Sequence, residues 1–183
     1  MSALVSVLMV IVLAAGSIFG FYNGMVSANE NVDSKWSQVD NQMQRRSDLI
    51  PNLVNTVKGY ASHEKEVFQS VSDARAKMAG AQSVGDKLAA NTELNSALSR
   101  LLAVAENYPQ LKADQNFRQL QDELSGTENR IAVARKDYND AVQSYNTKIK
   151  SLPYSLFAGA LGFTARDYFK VEETAKAVPK VQF

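Results

Sequence analysis

His63 and Glu64 stand side by side and open like the helical motif with which zinc proteases hold their metal. That motif requires a second histidine one turn further on, because the ion takes its ligands from one helix face. Val67 occupies that place, so zinc hydrolysis is not supported. His63 is the only histidine and reads as a structural or surface side chain. Arg45 and Arg46, followed by Asp48, are a second candidate. Arg46 falls on an apolar stripe, and a buried guanidinium must be paired. One expectation is a structural ion pair with Glu123 or Glu128 of a later helix. The other is a ligand or lipid-headgroup site in the bundle around Arg45, Arg46, Asp48 and Glu64. Asp122-Glu123 and Glu172-Glu173 are neighbours in sequence, so they point to different helix faces and read as solvated positions rather than acid/base pairs.

The chemistry that is missing bounds the function. With no cysteine there is no thiol catalysis, no disulfide and no cysteine-held metal. The chain carries no phosphate loop, dinucleotide fingerprint or nucleophile elbow, and no cofactor is expected. Twenty basic residues against 19 acidic ones give a formal charge of +1, without a basic block. Nucleic-acid binding has no electrostatic support. An enzymatic role is not expected.

The elements that must position these residues begin with an apolar one. The first charged side chain is Glu30, and residues 3–22 are almost continuously apolar. About 20 such residues cross a bilayer as a helix. The alternative is a cleaved signal peptide ending near Ala15, but no Lys or Arg precedes the run and the apolar stretch continues through Ile18, Phe19 and Phe21. Gly16, Gly20 and Gly24 fall four apart and offer a face on which two membrane helices can approach closely. Lys35, Arg45 and Arg46 follow the span while no Lys or Arg precedes it, which favours a domain inside the cytoplasm.

Beyond the span a heptad stripe runs through Val32, Trp36, Val39, Met43, Arg46, Ile50, Leu53, Val57, Tyr60, Glu64, Val67, Val71, Ala74 and Met78. Pro51 lies inside it and predicts a kink, or a helix start capped by Ser47 or Asp48. A loop is expected over Ala79–Gly85, and a second helix over Val84–Asn107, ended by Tyr108-Pro109. A third helix carries the stripe Phe117, Leu120, Leu124, Thr127, Ile131, Ala134, Tyr138, Ala141, Tyr145 and Lys148. An aromatic segment after Pro153 is expected to form a short helix covering the end of the bundle. The fold class is all-α: an N-terminal transmembrane helix followed by an antiparallel bundle of long helices. The divisions expected are an anchor over 1–24, a membrane-proximal stalk over 25–50 and a bundle over 51–183. A helix from Glu30 to Met78 would be roughly 70 Å long, and the second helix returns only about half that distance. Val32, Trp36, Val39 and Met43 are therefore expected to lack a partner from their own chain and to be covered by another subunit or a binding partner, the competing explanation being a fold-back at Pro51 that lets the bundle cover them.

The run from Trp36 through Pro51 to Glu64 strongly resembles the LemA family. So do Tyr108-Pro-Gln-Leu-Lys-Ala113, Phe117, Leu120, Leu124, Thr127-Glu-Asn-Arg-Ile131, Ala134-Arg135, Tyr138-Asn139, Tyr145-Asn146 and Gly162-Phe163. The resemblance covers essentially the whole chain. It implies a bacterial membrane protein with an N-terminal anchor and an antiparallel helical bundle, mostly facing the cytoplasm, with no established enzymatic activity. It also implies links to envelope stress or to the remodelling of internal membranes. The partners expected are the lipid bilayer, a second copy of the chain and a membrane protein.

Overall fold

The apolar run from Leu4 to Phe21 leads without a break into the heptad stripe, and one helix holds the run and the stripe as far as Val57. The computed structural model describes residues 2–169, and α1 occupies Ser2–Lys58. It is followed by α2 (Lys65–Gly80), α3 (Val84–Val104), a 3-10 turn at Ala105–Asn107, α4 (Pro109–Ala113) and α5 (Gln115–Lys150). A last 3-10 turn covers Tyr154–Leu156. Among the described residues there is no strand. The protein is all-α. Glu172 and Glu173 lie outside the described residues.

Two compact units arise from this chain. Among the described residues, the first holds 2–39 and 134–168, and the second holds 40–133 and 169. In the first unit α1 and α5 pair antiparallel. Trp36 meets Tyr138 edge to face, with ring centroids 5.4 Å apart. Lys35 lies 3.8 Å from Asp137, and Lys148 Nζ donates to the Gly24 carbonyl at 3.1 Å. In the second unit the two helices also run antiparallel: Arg130 Nε donates to Gln42 Oε1 at 3.2 Å, and Arg46 pairs with Glu128. There α2 and α3 add an antiparallel pair across the short Ala81–Ser83 turn, joined by Lys77 and Glu93 at 2.6 Å. The Ser83 hydroxyl starts α3 by accepting the Asp86 N–H at 3.0 Å.

Three expectations change. Pro51 does not start a helix, since α1 passes through it. The reason lies at Ser47, whose carbonyl would have accepted the N–H that proline lacks. Arg75 Nε of α2 donates to that carbonyl instead, at 3.2 Å. Second, the stripe does not continue in one helix to Met78. α1 ends at Lys58, where Gly59 N–H falls back on the Asn55 and Thr56 carbonyls, and residues 59–64 turn before α2. Third, Val32, Val39 and Met43 are fully or almost fully buried within a single copy of the chain, and Trp36 packs on Tyr138. The helix facing residues 32–39 in the first unit is the 36-residue α5, about 54 Å long, rather than the shorter second helix.

Candidate functional site

The apolar start of α1, a candidate membrane span by length and composition, differs from the rest of the helix in its surroundings. Every described side chain from Leu4 to Gly20 is exposed, and nearly all are apolar. Burial begins at its exit. Phe21 meets Tyr154 edge to face at 5.4 Å and stacks on Phe157 at 6.4 Å, and Tyr22 meets Phe163 at 5.8 Å. Lys148 Nζ lies 5.7 Å from the centre of the Tyr154 ring. The three glycines therefore divide. A Cβ at Gly16 or Gly20 would meet nothing within 4 Å, whereas one at Gly24 would touch the Tyr154 hydroxyl at 3.4 Å. Gly24 faces its own chain, so the open small-residue face is Gly16 and Gly20 alone.

The aromatic segment forms no regular helix beyond its single 3-10 turn. Its turns close at Gly162, where Gly162 N–H reaches the Gly159 carbonyl and Phe163 N–H the Ala158 carbonyl. That pair of bonds requires a left-handed residue, and Gly162 has φ +81°. The chain then runs back extended along α5 as a strap. Tyr145 Oη donates to the Thr164 carbonyl and Tyr138 Oη to that of Asp167, each at 2.9 Å. Asn146 holds Arg166 through both amide atoms, donating to its carbonyl at 2.9 Å and accepting its N–H at 2.8 Å. Arg166 pairs in turn with Asp33 of α1. Burial raises both tyrosine pKa values. Stripe spacing identified Tyr138 and Tyr145 as core; their hydroxyl partners lie in a segment without periodicity.

The polar candidates in the second unit do not converge. Arg46 is 7% exposed and pairs with Glu128. Burial pulls its guanidinium below the ordinary value, against the charge of Glu128 and its hydrogen bond. Arg46 Nε is buried without a hydrogen-bond acceptor among the described residues. Beside the pair opens a cavity of about 380 Å³, lined also by Asn95, Ser99, Gln121 and Asn129. Arg45 is exposed, and Asp48 accepts a local bond from Gln44 at 2.9 Å. Glu64 accepts from Tyr108 Oη at 3.3 Å, and Glu123 lines a separate groove with Asn52 and Asn55. His63 sits exposed in the turn before α2. So the Glu128 alternative for Arg46 is the one realised, and Arg45, Asp48 and Glu64 do not share a site with it.

The family profile of LemA matches residues 35–183. The chain belongs to the LemA family. Magnetosome protein MamQ 2 of Paramagnetospirillum magneticum is 30% identical over 192 residues, covering 91% of this chain and 70% of that protein. Magnetosome protein MamQ of Magnetospirillum gryphiswaldense is 28% identical over 174 residues, covering 81% and 64%. Protein LemA of Metamycoplasma hominis is 23% identical over 131 residues, covering 71% and 60%. The residues that carry the LemA resemblance now have physical roles. Tyr138, Tyr145 and Asn146 pin the strap, Gly162 turns the chain into it, and Glu128 neutralises Arg46.

Proposed function

We propose that this LemA-family protein is a single-pass, non-enzymatic scaffold of the bacterial cytoplasmic membrane. Its helical domain faces the cytoplasm and offers docking surface to membrane proteins. The observation that carries this reading is the joint at the exit of the membrane span. α1 passes without interruption from exposed apolar residues to the buried Met25, Val32 and Val39, and Tyr154 and Lys148 brace it there. No linker separates span from domain, so the first unit is held at a fixed distance from the bilayer. Orientation is supported by charge. Lys148 and Lys150 end α5 close to the span's exit, on the side where Lys35, Arg45 and Arg46 follow in sequence. The magnetosome named in the MamQ relatives favours membrane remodelling over envelope stress among the roles the family resemblance implies.

The test uses the full chain expressed in bacteria. It is expected to stay with carbonate-washed membranes at its intact mass. A C-terminal fluorescent-protein fusion is expected to glow, and an alkaline phosphatase fusion to be silent. A mature N-terminus at Gly16 or later, together with an active phosphatase fusion, overturns the reading. A second reading, a ligand sensor or enzyme, is favoured only by the cavity beside Arg46 and its unmatched Nε. Against it, Glu128 already neutralises the guanidinium, and an anionic ligand has to displace that carboxylate. A reproducible activity abolished by Arg46→Met would establish the second reading in place of the first.

A further inference from the structure

Outside α1, six large apolar or aromatic side chains are exposed among the described residues: Tyr60, Val133, Leu152, Leu156, Leu161 and Tyr168. Leu152, Leu156 and Leu161 fall within ten residues of one loop, and the first two are 75% and 68% exposed. Such a concentration on a short polar-flanked loop marks a surface that something apolar covers. Its position says what. The rings of Tyr154 and Phe157 lie on Phe21, and that of Phe163 lies against Tyr22. Those are the last residues of a span that uses up the hydrocarbon thickness of a bilayer. Aromatic residues mark the headgroup level, where their rings are half apolar and half wet.

We propose that residues 152–163 are a second membrane contact, an interfacial loop whose Leu152, Leu156 and Leu161 enter the acyl boundary of the leaflet next to residues 21–24. Lys150, exposed at the end of α5, precedes the loop at the depth where cationic stems extend toward lipid phosphates, while Lys148 stays on the Gly24 carbonyl. The exposed leucines continue the exposed apolar surface of the span, so lipid that already surrounds residues 4–20 covers them. The N–H groups of residues 155–158 and 161–163 are hydrogen-bonded within the loop and its entry, which lowers the cost of carrying its side chains into an apolar medium. The consequence is a two-point attachment: the span fixes position, and the loop fixes tilt and rotation of the first unit about the span.

This inference rests on residues 3–22 spanning the bilayer, and the experiment separates the two. The chain has no cysteine, so a single introduced cysteine is labelled uniquely. Leu8→Cys, Val133→Cys, Leu156→Cys and Leu161→Cys, each carrying nitrobenzoxadiazole, are reconstituted in phosphatidylcholine–phosphatidylglycerol vesicles. Labels at 156 and 161 are expected to shift to the blue. They are also expected to lose most of their emission to a nitroxide carried near the lipid headgroup, while the label at 133 keeps its aqueous spectrum. A quenched label at 8 with aqueous labels at 156 and 161 overturns the loop contact and leaves the anchor standing. Blue-shifted labels at 156 and 161 that no lipid-borne nitroxide quenches mean that protein covers the loop, which also overturns it. A label at 8 that no lipid-borne nitroxide reaches removes the anchor and this proposal together.

Discussion

Pro51 and Arg46 are two residues that a helical stripe should not tolerate, and each is accommodated by one distant partner. Pro51 deprives the Ser47 carbonyl of its helical donor, and the Arg75 guanidinium supplies another. Ser47 is buried, so a lost donor leaves a carbonyl without water, at a cost of about 1–2 kcal/mol. Arg75→Met is expected to destabilise the protein by that amount. In a Pro51→Ala background the restored N–H satisfies Ser47, and the effect of Arg75→Met should fall toward zero. Equal losses in both backgrounds, measured by chemical unfolding in mild detergent, would show that Arg75 acts otherwise. At Arg46 the asymmetry of a half-buried pair decides the outcome. Glu128→Ala strands a buried cation, whereas Arg46→Met replaces it with an apolar side chain in an apolar stripe. Breaking a fully buried pair costs about 3–5 kcal/mol. Solvent reaches the Glu128 side chain, which is 44% exposed, so roughly 1–3 kcal/mol is expected for Glu128→Ala. Arg46→Met should cost less than Glu128→Ala, and the reverse order would argue that the guanidinium itself is needed.

Among the elements, the strap from Thr164 to Asp167 is held by polar side chains of α5 rather than by a core of its own. Asn146→Ala removes both bonds to Arg166 and is expected to expose residues 164–168 to protease while the helices stay folded, seen as a single new cleavage in the intact chain. The same strap carries a pH dependence. Tyr138 and Tyr145 have raised pKa values, burial being the largest cause, so folding favours their protonated forms. Their contribution is fully present below the unfolded tyrosine value of about 10 and is lost as pH rises through the raised folded values. Tyrosinate absorbance should therefore titrate later in the native protein than in the unfolded chain, and strap cleavage should rise with it. Coincident titrations in both states would count against this. The stripes made α1 and α5 legible, because a helix that packs along its length repeats apolar residues whatever it packs on. Val32, Val39, Met43, Ile50, Phe117, Leu124, Ile131 and Tyr145 are all buried as their spacing requires. The break after Lys58 was hidden because Tyr60, Glu64 and Val67 keep the seven-residue phase across a turn. The strap was hidden for a different reason: its bonds join side chains to an aperiodic backbone. Likewise, nothing local to Pro51 names Arg75 as the donor that keeps α1 whole.

For the whole molecule the open question is assembly. A stalk seam shared between subunits no longer motivates it, because Val32, Val39 and Met43 are buried by their own chain. Trp36 packs on Tyr138, so Trp36→Ala should cost roughly 2–3 kcal/mol of folding stability and leave the subunit number unchanged. What remains is the candidate membrane helix. Gly16 and Gly20 open onto empty space, and small residues one turn apart let two helices approach to van der Waals contact where lipid offers no hydrophobic drive. Gly24 is withdrawn from that face by Tyr154. The three glycines thus predict different outcomes in a mass measurement on particles extracted in mild detergent. A single copy of the chain weighs 20.1 kDa. The native protein is expected to run as a multiple of that mass, and Gly16→Ile with Gly20→Ile as one copy. Gly24→Ile should keep the multiple and instead loosen Tyr154, read as greater protease access to the loop after Lys150. A native particle of one copy, or a multiple that survives both outer isoleucines, removes the membrane helix as the seat of self-association. A multiple lost only with Gly24→Ile would move that seat to the exit of the span, where the loop and Phe21 meet.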